Sequence, residues 1–334
     1  MILILFLVNA CNSIQTDSVL SPVLSPTGAV LTPLPPQALG LAAIPKSILP
    51  SPQPQAEGDL FPAYKINALM DYDAGIIDAE QDIKFTNNMH QALPDILLAV
   101  QPDRIPGVFV LQELVVDQTA IADYQLSGQK LQFSLKKPLQ PGEKISIFLK
   151  YRLNLPYLGN GTADPNWPRF FGIQSRQVNL TDWYPMLVPF RGQAGWQLSE
   201  PQPIGEHLVY PLANFDLTLK FTNPDALPVI AASSIPVKDD GTYHFVLDNA
   251  RDFALSMGRR FELVTAEVNG VSINSYYFPG NRTAGLAALD ASKKAVELYS
   301  NLFGAYHHNS LAVVQCDFDD GKEHDGLFYL SNNF

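Results

Sequence analysis

Between about residues 60 and 268, apolar and polar positions alternate in short runs, the two-residue period of strands with one wet face. Ile145, Ile147, Leu149 and Tyr151 interleave with Ser146, Phe148 and Lys150, and Phe215, Leu217, Leu219 and Phe221 interleave more cleanly with Asp216, Thr218 and Lys220. Turn signals at Gln140-Pro-Gly142, Gly159-Asn-Gly161 and Asp239-Asp-Gly241 break these runs at the spacing of an antiparallel β-sandwich. No helix of convincing length is predicted in this region.

Beyond about Asn269 the period changes. Residues 273–278 predict a strand, 283–303 a helix and 311–316 a buried strand. Thr283 is the expected helix cap. Leu286, Leu289, Val296, Tyr299 and Phe303 form the expected apolar stripe, and Gly304 the stop. Strand, helix and strand in succession predict the opening of a separate α/β layer. The fold is therefore expected to be mostly β: an antiparallel β-sandwich-like N-terminal domain at 60–268, then the beginning of an α/β domain at 269–334. Residues 327–330 predict an apolar strand that the sequence leaves without a partner.

Ahead of these domains the pattern is different. Residues 12–59 are rich in Pro, Ser, Ala and Leu, with Val-Leu-Ser-Pro occurring at 19–22 and again at 23–26. Such a segment favours extended, solvated conformations and is expected to act as a disordered tether. Residues 1–11 form an apolar run too short to span a bilayer, ending in Ala10 before Cys11. This is similar to a bacterial lipoprotein signal, with Cys11 as the lipidation site. Asn9 and the lack of any Lys or Arg before Lys46 depart from that pattern. The resulting expectation is an extracytoplasmic, membrane-anchored lipoprotein.

Composition narrows the partners. Thirty-three acids against twenty-two Lys and Arg leave a net charge of −11, which disfavours nucleic acid, because phosphate binding needs a concentrated basic face. With Cys11 and Cys316 as the only cysteines, no disulfide framework arises, and Cys316 is expected as a small core residue.

Metal chemistry finds little footing in the pattern. None of the six histidines is followed by Glu, so no His-Glu-x-x-His motif exists to place two imidazoles on one helical face. His307 and His308 are adjacent on a loop with no third ligand evident, and are expected at the surface. The acidic run from Asp317 fails as a calcium loop, because Gly321 is fifth and Phe328 twelfth where Gly is needed sixth and Glu twelfth.

Several phrases together resemble the aminopeptidase N family, the membrane alanyl aminopeptidase type of gluzincin zinc metallopeptidase. They are Asp182-Trp-Tyr-Pro185, Gly205-Glu-His-Leu-Val-Tyr210, Ala231-Ala-Ser-Ser234, Ala250-Arg-Asp-Phe-Ala-Leu-Ser256, Ala295-Val-Glu-Leu-Tyr-Ser-Asn-Leu-Phe-Gly304 and the segment from Asp317 to Leu327. The resemblance implies that 60–268 is the family's N-terminal β-domain and that 269–334 is the truncated start of its thermolysin-like catalytic domain. It implies a zinc-dependent enzyme that removes N-terminal residues from peptides, and a chain that is inactive alone because no catalytic residue or zinc ligand lies within it.

By position, Glu323 corresponds to the family glutamate that holds the substrate's free α-amine, and Gly321 to the small residue whose backbone approaches the scissile peptide. A carboxylate suits an ammonium group, and a glycine admits a ligand close to the backbone. Lys322 and His324 depart from the family pattern. A cation beside Glu323 would compete for the anchor unless the strand turns the lysine to the opposite face. A second anchor is expected shortly before Asp182; the spacing does not choose between Gln174 and Gln177, and Gln177 is carried forward as the candidate. The alternative is a non-catalytic β-domain binding module on the cell surface.

Overall fold

A computed structural model describes residues 61–158, 171–200, 208–318 and 321–331. Cys11, the Pro-rich tether, the turn expected at Gly159-Asn-Gly161, and Asp319 and Asp320 lie outside them.

The clean alternation around residues 145–151 and 215–221 is realised in one eight-stranded sheet. Its order is Val237–Asp239, Thr242–Ala250, Ala213–Phe221, Ala63–Asp71, Ile76–Thr86, Lys144–Asn154, Phe109–Val116 and Thr119–Ala120. Ile76–Thr86 and Lys144–Asn154 pair antiparallel along their whole length, and Ile145, Ile147, Leu149 and Tyr151 all point inward and are buried. Asp240 and Gly241 turn the expected hairpin with positive φ, as its twist requires. One pairing breaks the antiparallel pattern: Ala63–Asp71 lies parallel to Ala213–Phe221.

Two four-stranded sheets cover the inner face of the large one. One runs Val229–Ala232, Leu255–Gly258, Val178–Leu180, Gly172–Ile173; the other runs Met186–Leu187, Leu93–Ala99, Lys130–Leu139, Gln125–Ser127. Residues from all three sheets merge into a single apolar core. Several of the polar groups inside it are paired. Tyr151 donates to Gln81 Oε1 at 3.0 Å, Gln81 Nε2 donates to the Pro185 carbonyl at 2.7 Å, and the Leu187 N–H donates to Tyr64 Oη at 2.9 Å. Unpaired, each would cost about 1–3 kcal/mol; paired, they fix the height of the 182–188 segment over the sheet.

The α/β layer is a five-stranded sheet ordered Glu262–Val268, Val271–Tyr277, Ser310–Cys316, Leu327–Ser331, Lys322–His324. It takes in Glu262–Val268, which lies before residue 269. Val271–Tyr277 and Ser310–Cys316 run parallel, joined by the helix Arg282–Phe303 as crossover. Leu327–Ser331 is paired on both edges, parallel to Ser310–Cys316 and antiparallel to Lys322–His324, so the expectation of an unpartnered strand is overturned.

The helix departs from expectation in two respects. It starts one residue early, with Asn281 rather than Thr283 at the cap position and no side chain capping it; the chain has already turned at Gly280, with φ +88°, and the Gly285 N–H reaches the Asn281 carbonyl. Its buried stripe is Gly285, Leu289, Ser292 and Val296, whereas Leu286 and Phe303 are exposed. Leu286 sits about 100° around the axis from Gly285. After Val296 no helix residue is buried, so Phe303 keeps the period but has no sheet beneath it. Gly304 ends the helix as expected, its N–H bonded to the Ser300 carbonyl.

Candidate functional site: the 322–331 hairpin

The acidic segment becomes a short antiparallel hairpin in which Lys322 opposes Tyr329, Glu323 opposes Phe328 and His324 opposes Leu327. Neighbours on a strand face opposite ways, so Lys322 and His324 share one face and Glu323 takes the other. The first face is anchored. Lys322 Nζ donates to Asp182 Oδ2 at 2.8 Å, and His324 Nδ1 lies 2.6 Å from Asp252 Oδ2. The His324 side chain is 1% exposed and Asp252 18%, so this contact lies within the protein rather than on its rim.

The turn is tied down as tightly. The Asp325 N–H donates to Asp252 Oδ1 at 3.1 Å, Asp325 Oδ2 accepts from the Arg251 N–H at 2.6 Å, and Tyr329 donates to the Leu255 carbonyl at 3.0 Å. Gly326 has φ +74°, and a Cβ there would lie 1.9 Å from the Ser233 carbonyl oxygen. The hairpin thus presses on backbone that no side chain could approach so closely.

Glu323, by contrast, is exposed, and its carboxylate makes no ion pair or hydrogen bond with the described side chains. Gly321 is also exposed; a Cβ there would lie 3.2 Å from the Tyr329 carbonyl, tighter than ordinary contact. The two residues expected to meet substrate therefore share one hairpin edge. Lys322, the cation that threatened the amine anchor, is turned away toward Asp182.

Three of the phrases singled out in the sequence, 182–185, 231–234 and 250–256, meet the hairpin here. Asp182 has φ +49° and leads into Trp183 and Tyr184, both buried. Tyr184 Oη accepts the Phe253 N–H at 2.8 Å, which locks 182–185 to 250–256 and sets Asp182 and Asp252 beneath the hairpin. Burial pushes the Tyr184 and Tyr329 phenols well above their ordinary value, so both remain neutral hydrogen-bonding groups. From the other side, the Arg176 guanidinium binds the Asp317 carboxylate and lies 3.6 Å over the Phe278 ring, and Ser175 donates to Asp317.

Gln177 and Gln174 occupy a different environment. Gln177 is 1% exposed; its Nε2 donates to Asn179 Oδ1 at 2.8 Å and approaches Ser256 Oγ at 3.4 Å, while its Oε1 has no hydrogen-bond partner. Gln174 Oε1 accepts from Asn179 Nδ2 at 3.5 Å. The two glutamines belong to one buried polar network at the strand Val178–Leu180, and no described contact joins them to Glu323 or Gly321.

Sequence reasoning missed Asp182 and Asp252 as partners of the hairpin. Both stand inside phrases singled out above, but pairing with residues so distant in sequence leaves no trace in local spacing. It also misplaced His308, expected at the surface but 6% exposed in the structure, because Asp325 and Tyr306 close over it.

No protein-family model matches the sequence, and no curated protein matches it. Solved structures do. The fold is similar to the M1 zinc metallopeptidase from Deinococcus radiodurans, with a TM-score of 0.53 at 14% identity over 82% of this chain and 61% of that one. A mutant of a two-domain M1 zinc metallopeptidase bound to L-tryptophan gives 0.54 at 16% identity, covering 81% and 61%. A mutant of the Deinococcus radiodurans enzyme bound to a Tyr-Ser-Ala substrate gives 0.53 at 17%, covering 81% and 60%. The chain therefore spans about three fifths of the length of the structures it matches. What it shares with them is a mostly antiparallel β architecture, that of the N-terminal β-domain of an M1 peptidase.

Proposed function

We propose that this chain is the N-terminal part of an exported, zinc-dependent aminopeptidase that removes N-terminal residues from peptides. The observation that carries the reading is the hairpin edge: Glu323 is exposed and, among the described residues, unpaired, while both its neighbours are bound to carboxylates on the opposite face. The M1-like fold and the peptide-bound state of one similar structure support the same reading.

In this reading Glu323 accepts hydrogen bonds from the substrate's ammonium group, which selects N-termini over internal peptides. Gly321 leaves room for the peptide backbone beside it. Asp182 and Asp252 act indirectly, holding Lys322 and His324 so that Glu323 keeps its charge available. Gln177 serves as a second polar anchor only if its network opens toward the substrate. The residues of this chain do not supply the zincin ligand set. Zinc bound elsewhere in the whole enzyme would polarise the N-terminal peptide carbonyl and activate water. The same proposal includes export and a lipid anchor on Cys11, tested by whether Cys11→Ser moves the protein from the membrane fraction to the soluble one.

The test begins with the genomic locus, read downstream of codon 334 for an in-frame His-Glu-x-x-His. The whole gene product is then assayed on aminoacyl nitroanilides. Losing a charge-assisted bond worth about 1.5–3 kcal/mol, Glu323→Gln should lower kcat/KM roughly 10- to 100-fold. An unchanged kcat/KM would remove Glu323 from the reaction. A folded gene product with no peptidase activity would leave the β-domain as a binding module.

A further inference from the structure

We propose that His307, His308 and Asp325 form a binding site for a borderline divalent cation of the Zn²⁺, Co²⁺ or Ni²⁺ type, distinct from the substrate edge at Glu323. Adjacent histidines on a loop ordinarily diverge. Here the chain leaves the helix at Gly304, with φ +106°, and enters the strand Ser310–Cys316 so that the two rings lie 3.9 Å apart between centroids. The third group arrives from the hairpin turn, and one ligand atom from each of the three residues falls within 4.8 Å of the others.

A second observation comes from the buried ring. His308 is 6% exposed, and its Nε2 is buried without a hydrogen bond. The nearest acceptor, Asp325 Oδ1, is 3.5 Å away, at the limit of contact. Buried ring nitrogens are nearly always satisfied, so one left unpaired beside a carboxylate and a second imidazole is placed to ligate a metal.

The surroundings prepare the ligands. Asp325 Oδ2 is fixed by the Arg251 N–H, which orients the carboxylate and leaves Oδ1 toward His308. The Tyr306 ring packs edge-on against His308, 5.5 Å between centroids, and walls one side.

The donor set selects the metal. Two imidazoles and one carboxylate suit Zn²⁺, Co²⁺ or Ni²⁺, whereas Mg²⁺ and Ca²⁺ prefer oxygen ligands throughout. With metal–ligand bonds of about 2.0–2.2 Å, tetrahedral ligand atoms sit about 3–3.5 Å apart. The cluster must therefore tighten by about 1–1.5 Å, which rotation of the exposed His307 side chain can supply. Three protein ligands leave a fourth position to solvent. A bound ion would also join the 304–309 loop to the turn that follows Glu323, stapling the candidate substrate edge from behind.

The test uses the tag-free chain, apo after chelation. Equilibrium dialysis should find one Zn²⁺ retained per chain, and Co²⁺ should give the intense visible bands of a four-coordinate site that Zn²⁺ bleaches. His307→Ala, at an exposed position, should weaken Zn²⁺ binding at least about tenfold, and His308→Gln likewise. His244→Ala, which removes the partner of Asp216 in another sheet, should leave it unchanged. The Tm should rise with Zn²⁺ in the parent chain and not in His307→Ala. Retention of no metal, Zn²⁺ binding unaffected by His307→Ala, or equal competition by Ca²⁺ would each overturn the proposal.

Discussion

Replacing Gly326 by Ala tests how tightly the hairpin is pressed onto the β-domain. Two costs add. At φ +74° an L-residue is strained by about 1–2 kcal/mol. The new Cβ would also stand 1.9 Å from the Ser233 carbonyl oxygen and 2.8 Å from its carbon, against a comfortable separation of about 3.5 Å, so the turn must retreat by about 1.5 Å. That movement pulls on the 2.8 Å bond from the Ala312 N–H to the Gly326 carbonyl and on the Asp325 N–H to Asp252 bond, each worth about 0.5–1.5 kcal/mol. The expected loss is about 2–4 kcal/mol. Gly270→Ala is the matched control, because Gly270 has φ +77° with nothing within 4 Å of its would-be Cβ, and it should lose only the conformational part. Urea unfolding at unchanged m-value measures both, and hydrogen exchange at the Ala312 amide reports the local opening. A Gly326→Ala loss within about 0.5 kcal/mol of the Gly270→Ala loss would refute the close contact with Ser233.

Three further predictions follow from other contacts. Gly to Ala inside a helix ordinarily stabilises by about 1 kcal/mol, but Gly285→Ala should destabilise, because its Cβ would meet the buried Tyr277 ring at 2.2 Å; a raised Tm would contradict this. Lys322→Met removes the ammonium from an Asp182 carboxylate whose side chain is 19% exposed, and should cost about 1–3 kcal/mol, with Asp182→Asn and the double variant closing a cycle that shows positive coupling. Desolvation raises the Asp103 carboxyl to about 6, so the folded state holds its proton more tightly than the unfolded chain. Asp103→Asn should therefore match the parent below pH 3.8, gain on it as pH rises toward 6, and hold a constant advantage above that in pH-dependent unfolding.

The sequence disclosed the local grammar well and the long-range geometry poorly. Alternation at 145–151 and 215–221 marked strands because each has a dry and a wet face, and that property survives whatever the partner strand. The parallel pairing of Ala63–Asp71 with Ala213–Phe221 carries no comparable signature, since both strands read the same whichever neighbour they choose. The helix was legible, but its buried stripe was not fully so: Leu286 is more apolar than Gly285, yet the sheet approaches where the smaller residue lets it. At the site, position in the sequence named Glu323 and Gly321 as candidates. The reason Lys322 turns away from Glu323 is a carboxylate at Asp182, and that required three dimensions. The third member of the His307–His308 cluster was hidden for the same reason.

The parallel pair at the middle of the large sheet also governs how the molecule can form. As the chain emerges, Ala63–Asp71 pairs at once with Ile76–Thr86 through a tight turn, but its other edge must wait until residue 213 and beyond have been made. Closing so long a loop is slow, even though each doubling of length adds only about 0.6 kcal/mol to the entropic cost. Until then, a strand destined for the centre of the sheet is an open edge. Ribosome-bound intermediates of this protein should therefore be the species most prone to wrong pairing, and the return of the strand Ala213–Phe221 should be the step that commits the β-domain to its fold.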